Sequence, residues 1–373
     1  MLRVFCFSFF DSHFLKVIFI MAKMQKSFSH SDLSEKSQDW VAQFRHHLKG
    51  SAQVECFSSR NTSVGRYRTM RMRRFGRSRK SADIPTLIIP PLAVHDAGFV
   101  DLYAGNSLIE TLLNAGHDAI HLADWRKLTP DSAEQSIDAC MSDLAIAIDD
   151  LGGRVNLVGL SLGGLFALLL AARFPGKVEK LVLAGTPVDM DAQLSLLTYH
   201  AGKLQTLPRN LVAAEDWLAP MAINKTTELS GLDAMQRDLG SFSRKDLDAL
   251  AAFGAWAQRK GDLSASYLRD LLMRIIKGNE MAKGEFKVLG RCIDLKNIRA
   301  ALFVLAGARD EIAPRRQALR VLDLVGTPKA RKRAVTVEAG HLALFMGRKT
   351  LSREWRMIAG WLQSQAPRAQ KAA

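Results

Sequence analysis

From Asp83 onward, short apolar runs alternate with longer segments whose apolar positions recur at helical spacing. TLII (86–89), DAIHL (118–122), VNLV (155–158), VEKLVLAG (178–185), ALFVLAG (301–307) and RAVTVE (333–338) read as strands. Helices are predicted over Asn106–Ala115, Ser132–Asp150, LGGLFALLLAARF (162–174), Arg315–Val325 and Leu351–Gln363. Strands joined by helices imply an α/β fold with a mostly parallel sheet covered on both faces. Near-continuous apolar strands such as KLVLAG fit burial on both sides. After Pro187 the alternation stops, and residues 190 to about 297 carry mainly helical pattern, with Trp217 and Trp256. The rhythm then resumes, so this stretch reads as a helical cap inserted over the strand ends.

The N-terminal third is patterned differently. Residues 22–65 are polar and Ser-rich, with a short helix predicted around Trp40–Leu48. RYRTMRMRRFGRSRK follows, from Arg66 to Lys80, and no acid appears until Asp83. Its Arg and apolar residues interleave without a clean period of two. The stretch reads as a solvated edge strand whose arginines discourage edge pairing, or as a contact for phosphate groups, a nucleic acid or an anionic surface. The first twenty residues, MLRVFCFSFFDSHFLKVIFI, are apolar but broken by Asp11, His13 and Lys16. A charge at mid-bilayer costs about 2.5–3.5 kcal/mol, and no small-residue cleavage site precedes Met21 or Met24. That leaves a leader or anchor, or a start assigned upstream of Met21 or Met24; a cytoplasmic location is expected. The expected division is therefore an extension over 1–65, one α/β domain over 66–366 with its cap at about 190–297, and a tail over 367–373.

Composition adds two constraints. A formal charge of +15 bears on association and solubility rather than on fold. Cys6, Cys56, Cys140 and Cys292 are scattered without CxxC pairs or metal-ligand spacing, which fits free thiols in a reducing compartment. No metal or cofactor is expected.

The sharpest local feature is VNLVGLSLGGLFALLL, residues 155–170. Gly159-Leu160-Ser161-Leu162-Gly163 is a G-x-S-x-G turn between an apolar strand and a helix, the setting of a nucleophile elbow. Such a turn lifts the Ser161 hydroxyl above the sheet and leaves the Leu162 N–H at a helix N-terminus, where an oxyanion would form. A serine needs a base, and the base an orienting acid. In the α/β-hydrolase fold both follow the serine, each on a loop after a strand. Asp310 stands just after ALFVLAGAR and His341 just after RAVTVEAG, so Ser161, Asp310 and His341 are the expected catalytic residues. Glu311 and Asp189 are rivals for the acid. A second oxyanion donor is expected in PPLAV (90–94); Pro90 and Pro91 have no N–H, which leaves Leu92 or Ala93. His95, His117 and His121 read as loop or surface residues.

With these motifs placed, the chain resembles the polyhydroxyalkanoate synthase family, especially its shorter, two-subunit class. The resemblance runs from about Pro85 to Trp361 and is weakest in the cap. It rests on TLIIPPLAVHDAGFVDLYAGNSLIETLLNAGHDAIHLADWR, VNLVGLSLGG, ARFPGKVEKLVLAGTPVDM, CIDLKNIRAALFVLAGARDEIAP and EAGHLALFMG. It implies a cytoplasmic acyltransferase that takes 3-hydroxyacyl groups from coenzyme A and extends a polyester, with nucleophile, acid and base at Ser161, Asp310 and His341. One departure matters: that family carries cysteine within G-x-C-x-G-G, and this chain has Ser161. A thiolate forms a thioester acyl-enzyme that a growing chain's hydroxyl readily resolves. A serine forms the oxygen ester of ordinary esterases.

Three readings follow. The first is a serine-nucleophile hydrolase or acyltransferase acting on hydroxyacyl esters or thioesters. The second is a polyhydroxyalkanoate synthase polymerising 3-hydroxyacyl-CoA. The third is a non-catalytic protein bound to granules or nucleic acid. The expected partners are an acyl ester or acyl-CoA, with a polyester granule or a partner subunit beside it; neither nucleic acid nor a membrane is expected.

Overall fold

Strands buried on both faces must alternate their side chains between two cores, and they do so here. The computed structural model describes residues 57–76, 84–93, 96–128, 135–203 and 263–364, with single positions between 252 and 261. Its central sheet has eight strands: β1 (Asn61–Arg66), β2 (Met70–Phe75), β3 (Thr86–Ile89), β4 (Ile120–Trp125), β5 (Val155–Leu160), β6 (Val178–Ala184), β7 (Ala301–Gly307) and β8 (Lys332–Val337). Their order across the sheet is β1-β2-β4-β3-β5-β6-β7-β8. Strands β3 to β8 run parallel, and β2 is antiparallel to both β1 and β4.

The alternation is visible residue by residue. Leu87, Ile89, Leu157, Leu181, Leu183, Leu302 and Val304 enter one core. Ile88, Val158, Leu160, Val182, Phe303 and Leu305 enter the other. Helices α1 (Leu108–Asn114) and α7 (Arg356–Gln363) cover the second core, while α2 (Ile137–Asp150) and α3 (Gly163–Arg173) cover the first. Both α1 and α2 start where the chain supplies an oxygen: Ser107 accepts from the Glu110 N–H, and Ser136 from the Ala139 N–H. The result is a three-layer α/β architecture of the α/β-hydrolase type, with the C-terminal ends of the parallel strands opening on one side.

Several expectations shift. The helix predicted from Asn106 begins at Leu108, because Asn106–Ser107 pairs with Asp101–Tyr103 in a small antiparallel ladder. The helix predicted from Ser132 begins at Ile137 after its Ser136 cap. The strand read as DAIHL runs on to Trp125. The Arg-rich strand β2 is not the sheet edge: β1, polar and beginning ahead of Arg66, lies outside it. In β2, Met70 and Met72 face one core and Phe75 the other, while Arg73 pairs with Asp124 and lies over the Phe57 ring. Between β6 and β7 the described residues form α4 (Leu196–Lys203), α5 (Ala265–Arg269, widening into π-helical turns over Asp270–Lys277) and the short α6 (Glu280–Lys283). They also form a hairpin of Lys287–Val288 with Arg291–Cys292, whose two-residue strands are too short to show alternation in sequence. The centre of the segment read as a cap, 204–251, lies outside the described residues, as do the first twenty residues, the extension up to Cys56 and the tail after Ser364. Among the described residues no helix is long and apolar enough to cross a membrane.

Candidate active site

The chain turns sharply after β5. Ser161 has φ +51°, a left-handed conformation that a non-glycine residue adopts only when its surroundings enforce it. Three close approaches supply that enforcement. A Cβ on Gly159 would run into Gly164, one on Gly163 into the Ile89 carbonyl and Pro90, and one on Gly164 into Thr186. Gly159 and Gly163 are thus kept bare by neighbouring backbone and Gly164 by the Thr186 side chain, and α3 can begin only if they stay so. The Ser161 N–H donates to the Ala184 carbonyl at 2.8 Å, which ties the turn to the end of β6.

Two further strand ends bring the partners in. Asp310 follows β7 and is buried; its Oδ1 accepts from the Ile312 and Ala313 N–H groups at 2.9 and 2.8 Å. Its Oδ2 lies 2.8 Å from His341 Nδ1, and His341 Nε2 lies 2.8 Å from Ser161 Oγ. Because a carboxylate only accepts, Nδ1 carries the imidazole proton and Nε2 is left to accept from the serine hydroxyl. The ring is held by an edge contact to Phe345, with centroids 5.3 Å apart, and by Gly185, where a Cβ would press on Leu344 and the imidazole. Ser161, His341 and Asp310 therefore form one unbroken hydrogen-bonded line across the ends of β5, β7 and β8. Neither rival acid is in it: Asp189 bonds Asn279 and Arg320, and Glu311 is exposed.

Above the elbow runs the loop after β3. Leu162 and Leu92 are buried and Ala93 half-buried, and Gly163 packs directly under the start of this loop. Among the described residues no backbone acceptor takes the Leu162 N–H, so it remains available at the helix start. Two donors pin the loop from outside it: Trp125 Nε1 to the Pro90 carbonyl and the Tyr267 hydroxyl to the Leu92 carbonyl, each at 2.9 Å. Neither residue was given a role from the sequence, since an aromatic after a strand and a Tyr on a helix look like ordinary core. Further along, Trp256 Nε1 donates to the Asp96 carbonyl at 3.0 Å and Arg259 pairs with the Asp96 carboxylate at 2.7 Å.

The other histidines divide. His121, read as loop or surface although DAIHL contains it, sits buried inside β4, because that strand is interior to the sheet, between β2 and β3. His117 precedes β4 and donates from Nε2 to the Ala359 carbonyl at 3.0 Å; burial lowers its pKa. His95 lies outside the described residues. Cys140 is buried, and burial pushes its thiol up to about 12, so it stays protonated and inert. Among the described residues no cluster of His, Cys, Asp and Glu is built to hold a metal.

A sheet in this order, with a strained serine after the fifth strand and acid and histidine after the seventh and eighth, defines an enzyme of the hydrolase or acyltransferase type. A family model described as alpha/beta hydrolase fold matches residues 151–347, and the chain belongs to that family. Within it, the chain is similar to the poly(3-hydroxyalkanoate) polymerase subunit PhaC of Synechocystis sp., at 26% identity, covering 76% of this chain and 78% of that one. The corresponding subunit of Allochromatium vinosum is 24% identical, over 76% of this chain and 81% of that one. That of Haloferax mediterranei is 22% identical over 76% of this chain, which spans 59% of its length. Solved structures that match include a naproxen esterase from Bacillus subtilis (TM-score 0.48, 16% identity, 88% of this chain and 99% of that one). A monoacylglycerol lipase from Paleococcus ferrophilus also matches (TM-score 0.47, 17% identity, 79% and 98%).

Proposed function

We propose that the chain is a serine-nucleophile hydrolase or acyltransferase that takes hydroxyacyl groups from esters or thioesters through an acyl-enzyme on Ser161. The observation that carries this reading is the line from Ser161 Oγ through His341 to Asp310 Oδ2, with both contacts at 2.8 Å. As Oγ attacks the acyl carbon, His341 Nε2 takes its proton and Asp310 stabilises the imidazolium. The oxyanion that forms is met by the Leu162 N–H and by an N–H of Leu92 or Ala93. His341 then protonates the departing thiolate or alkoxide and leaves an oxygen ester on Ser161. In the second half, His341 removes a proton from the acceptor, which is water in hydrolysis or a hydroxyl in acyl transfer, as the acceptor oxygen bonds to the acyl carbon; the bond to Ser161 Oγ then breaks and His341 returns the proton to Oγ.

The similarity to PhaC subunits supports a hydroxyacyl substrate and favours one second reading, a polymerase that takes 3-hydroxyacyl groups from coenzyme A. The two differ only in the acceptor. Incubation with 3-hydroxybutyryl-CoA, following thiol, free acid and polymer together, separates them. We expect thiol and free acid in equal amounts; thiol with polymer and little acid would establish the polymerase. Ser161→Ala is expected to slow thiol release by about 10⁴–10⁶-fold. Unchanged release in that variant would overturn both readings.

A further inference from the structure

The loop after β3, whose start packs against Gly163, is held by two aromatic side chains that do not belong to it. Trp125, at the end of β4, donates to the Pro90 carbonyl; Tyr267, on α5, donates to the Leu92 carbonyl. Both rings lie against Phe166, on the first turn of α3. The Trp125 and Phe166 centroids are 5.3 Å apart, and Phe166 and Tyr267 stack at 6.2 Å with 15° between their planes. One row of three rings thus joins the nucleophile's helix to the loop opposite it. Tyr267 is itself fixed: its N–H donates to Ser264 Oγ at 3.2 Å, and that hydroxyl donates to the Gln135 carbonyl at 2.8 Å. Burial raises the Tyr267 pKa, so the phenol stays a donor at any working pH.

Peptide geometry turns this anchor into a statement about chemistry. Among the described residues no peptide is cis, so the Leu92–Ala93 bond is trans and its N–H points opposite to its carbonyl. A hydroxyl that draws the Leu92 carbonyl to one side turns the Ala93 N–H to the other. The start of the same loop lies against Gly163, the residue after Leu162. We propose that Tyr267, seconded by Trp125, is a positioning residue that aims the Ala93 N–H at the oxyanion, making Ala93 rather than Leu92 the partner of Leu162. This rests on the acyl-enzyme reading above. A phenylalanine would fill the same space in the row of rings, so the phenolic oxygen is present for the Leu92 carbonyl and not for packing.

The test compares Tyr267→Phe, Trp125→Phe and Ser161→Ala by turnover of p-nitrophenyl 3-hydroxybutyrate and by inhibition with an alkyl trifluoromethyl ketone. That ketone adds to the serine as a hemiketal oxyanion and reads the donors directly. Tyr267→Phe is expected to lower kcat by about 10–100-fold, with KM held within about twofold. The inhibition constant for the ketone should rise by the same factor as kcat/KM falls. Trp125→Phe, acting from the other side of the loop, should give the same pattern at about tenfold. An unchanged kcat and ketone affinity in Tyr267→Phe, with turnover lost in Ser161→Ala, overturns the positioning role and leaves the nucleophile standing. So does a kcat loss with unchanged ketone affinity. Turnover that survives Ser161→Ala overturns both.

Discussion

The two ends of the parallel strands both bury polar groups, and they do opposite things with them. At the N-terminal end, Lys180 of β6 is buried and donates to the carbonyls of Trp361, at 2.7 Å, Leu362, at 3.0 Å, and Ser364, closing the end of α7. Its ammonium also lies over the Trp361 ring, and burial holds its pKa below the usual lysine range. A cation at a helix C-terminus also complements the helix dipole. Every donor of that group is consumed. At the C-terminal end, Asp310 is equally buried and equally saturated, but the line it starts ends on a hydroxyl that can still attack, beside an N–H that still lacks an acceptor. Burial alone therefore does not mark a site. Leftover capacity at the end of a saturated chain does.

That contrast can be broken from either end. Replacing His341 by alanine removes the proposed base and should cut turnover of p-nitrophenyl esters by at least about 10⁴-fold, with little change in thermal midpoint. Asp310→Asn keeps the shape but presents an amide to Nδ1 and favours the wrong tautomer; we expect a loss of about 10³–10⁴-fold in kcat, again with the fold retained. Lys180→Met should do the reverse. It takes the donor from the Leu362 and Ser364 carbonyls and leaves that of Trp361 with the Ser364 hydroxyl alone, and it is expected to destabilise the fold by about 2–3 kcal/mol in urea titrations, while kcat per folded molecule stays within about twofold. The smallest effect is expected at His117, another structural group packed against α7. Its lowered pKa means that the unfolded chain binds the proton more tightly. Its contribution is full above the ordinary histidine value and is lost as pH falls through the folded value. His117→Asn should flatten the dependence of the urea midpoint on pH between about 7.5 and 5.

Much of this was legible in the chain. The strands from β3 to β8 were readable because burial on both faces makes them near-continuous apolar runs, and Ser161, Asp310 and His341 because each stands just past such a run. β8 is a partial exception, since Arg333, Ala334 and Thr336 are exposed, and the order of motifs carried it instead. What stayed hidden depends on contacts distant in sequence. Strand β1 has one large apolar residue, Val64, and exists because it pairs with β2. Asn279 adopts φ +52° because its side chain bridges the Met190 N–H and the carboxylates of Asp189 and Asp191. Leu289 turns its hairpin at φ +46°, where glycine would be the expected residue, with its N–H on Asp138. Tyr267 lies 175 residues from the carbonyl it holds, and no local pattern encodes such a pairing.

The backbone at Ser161 is one that glycine adopts freely and serine does not. On foldability alone, selection acting on position 161 would drift toward glycine and recover about 1–3 kcal/mol of conformational strain. Ser161→Gly should accordingly melt higher than the native chain while turning over nothing. The side chain at this position is thus retained against the interests of the fold that presents it.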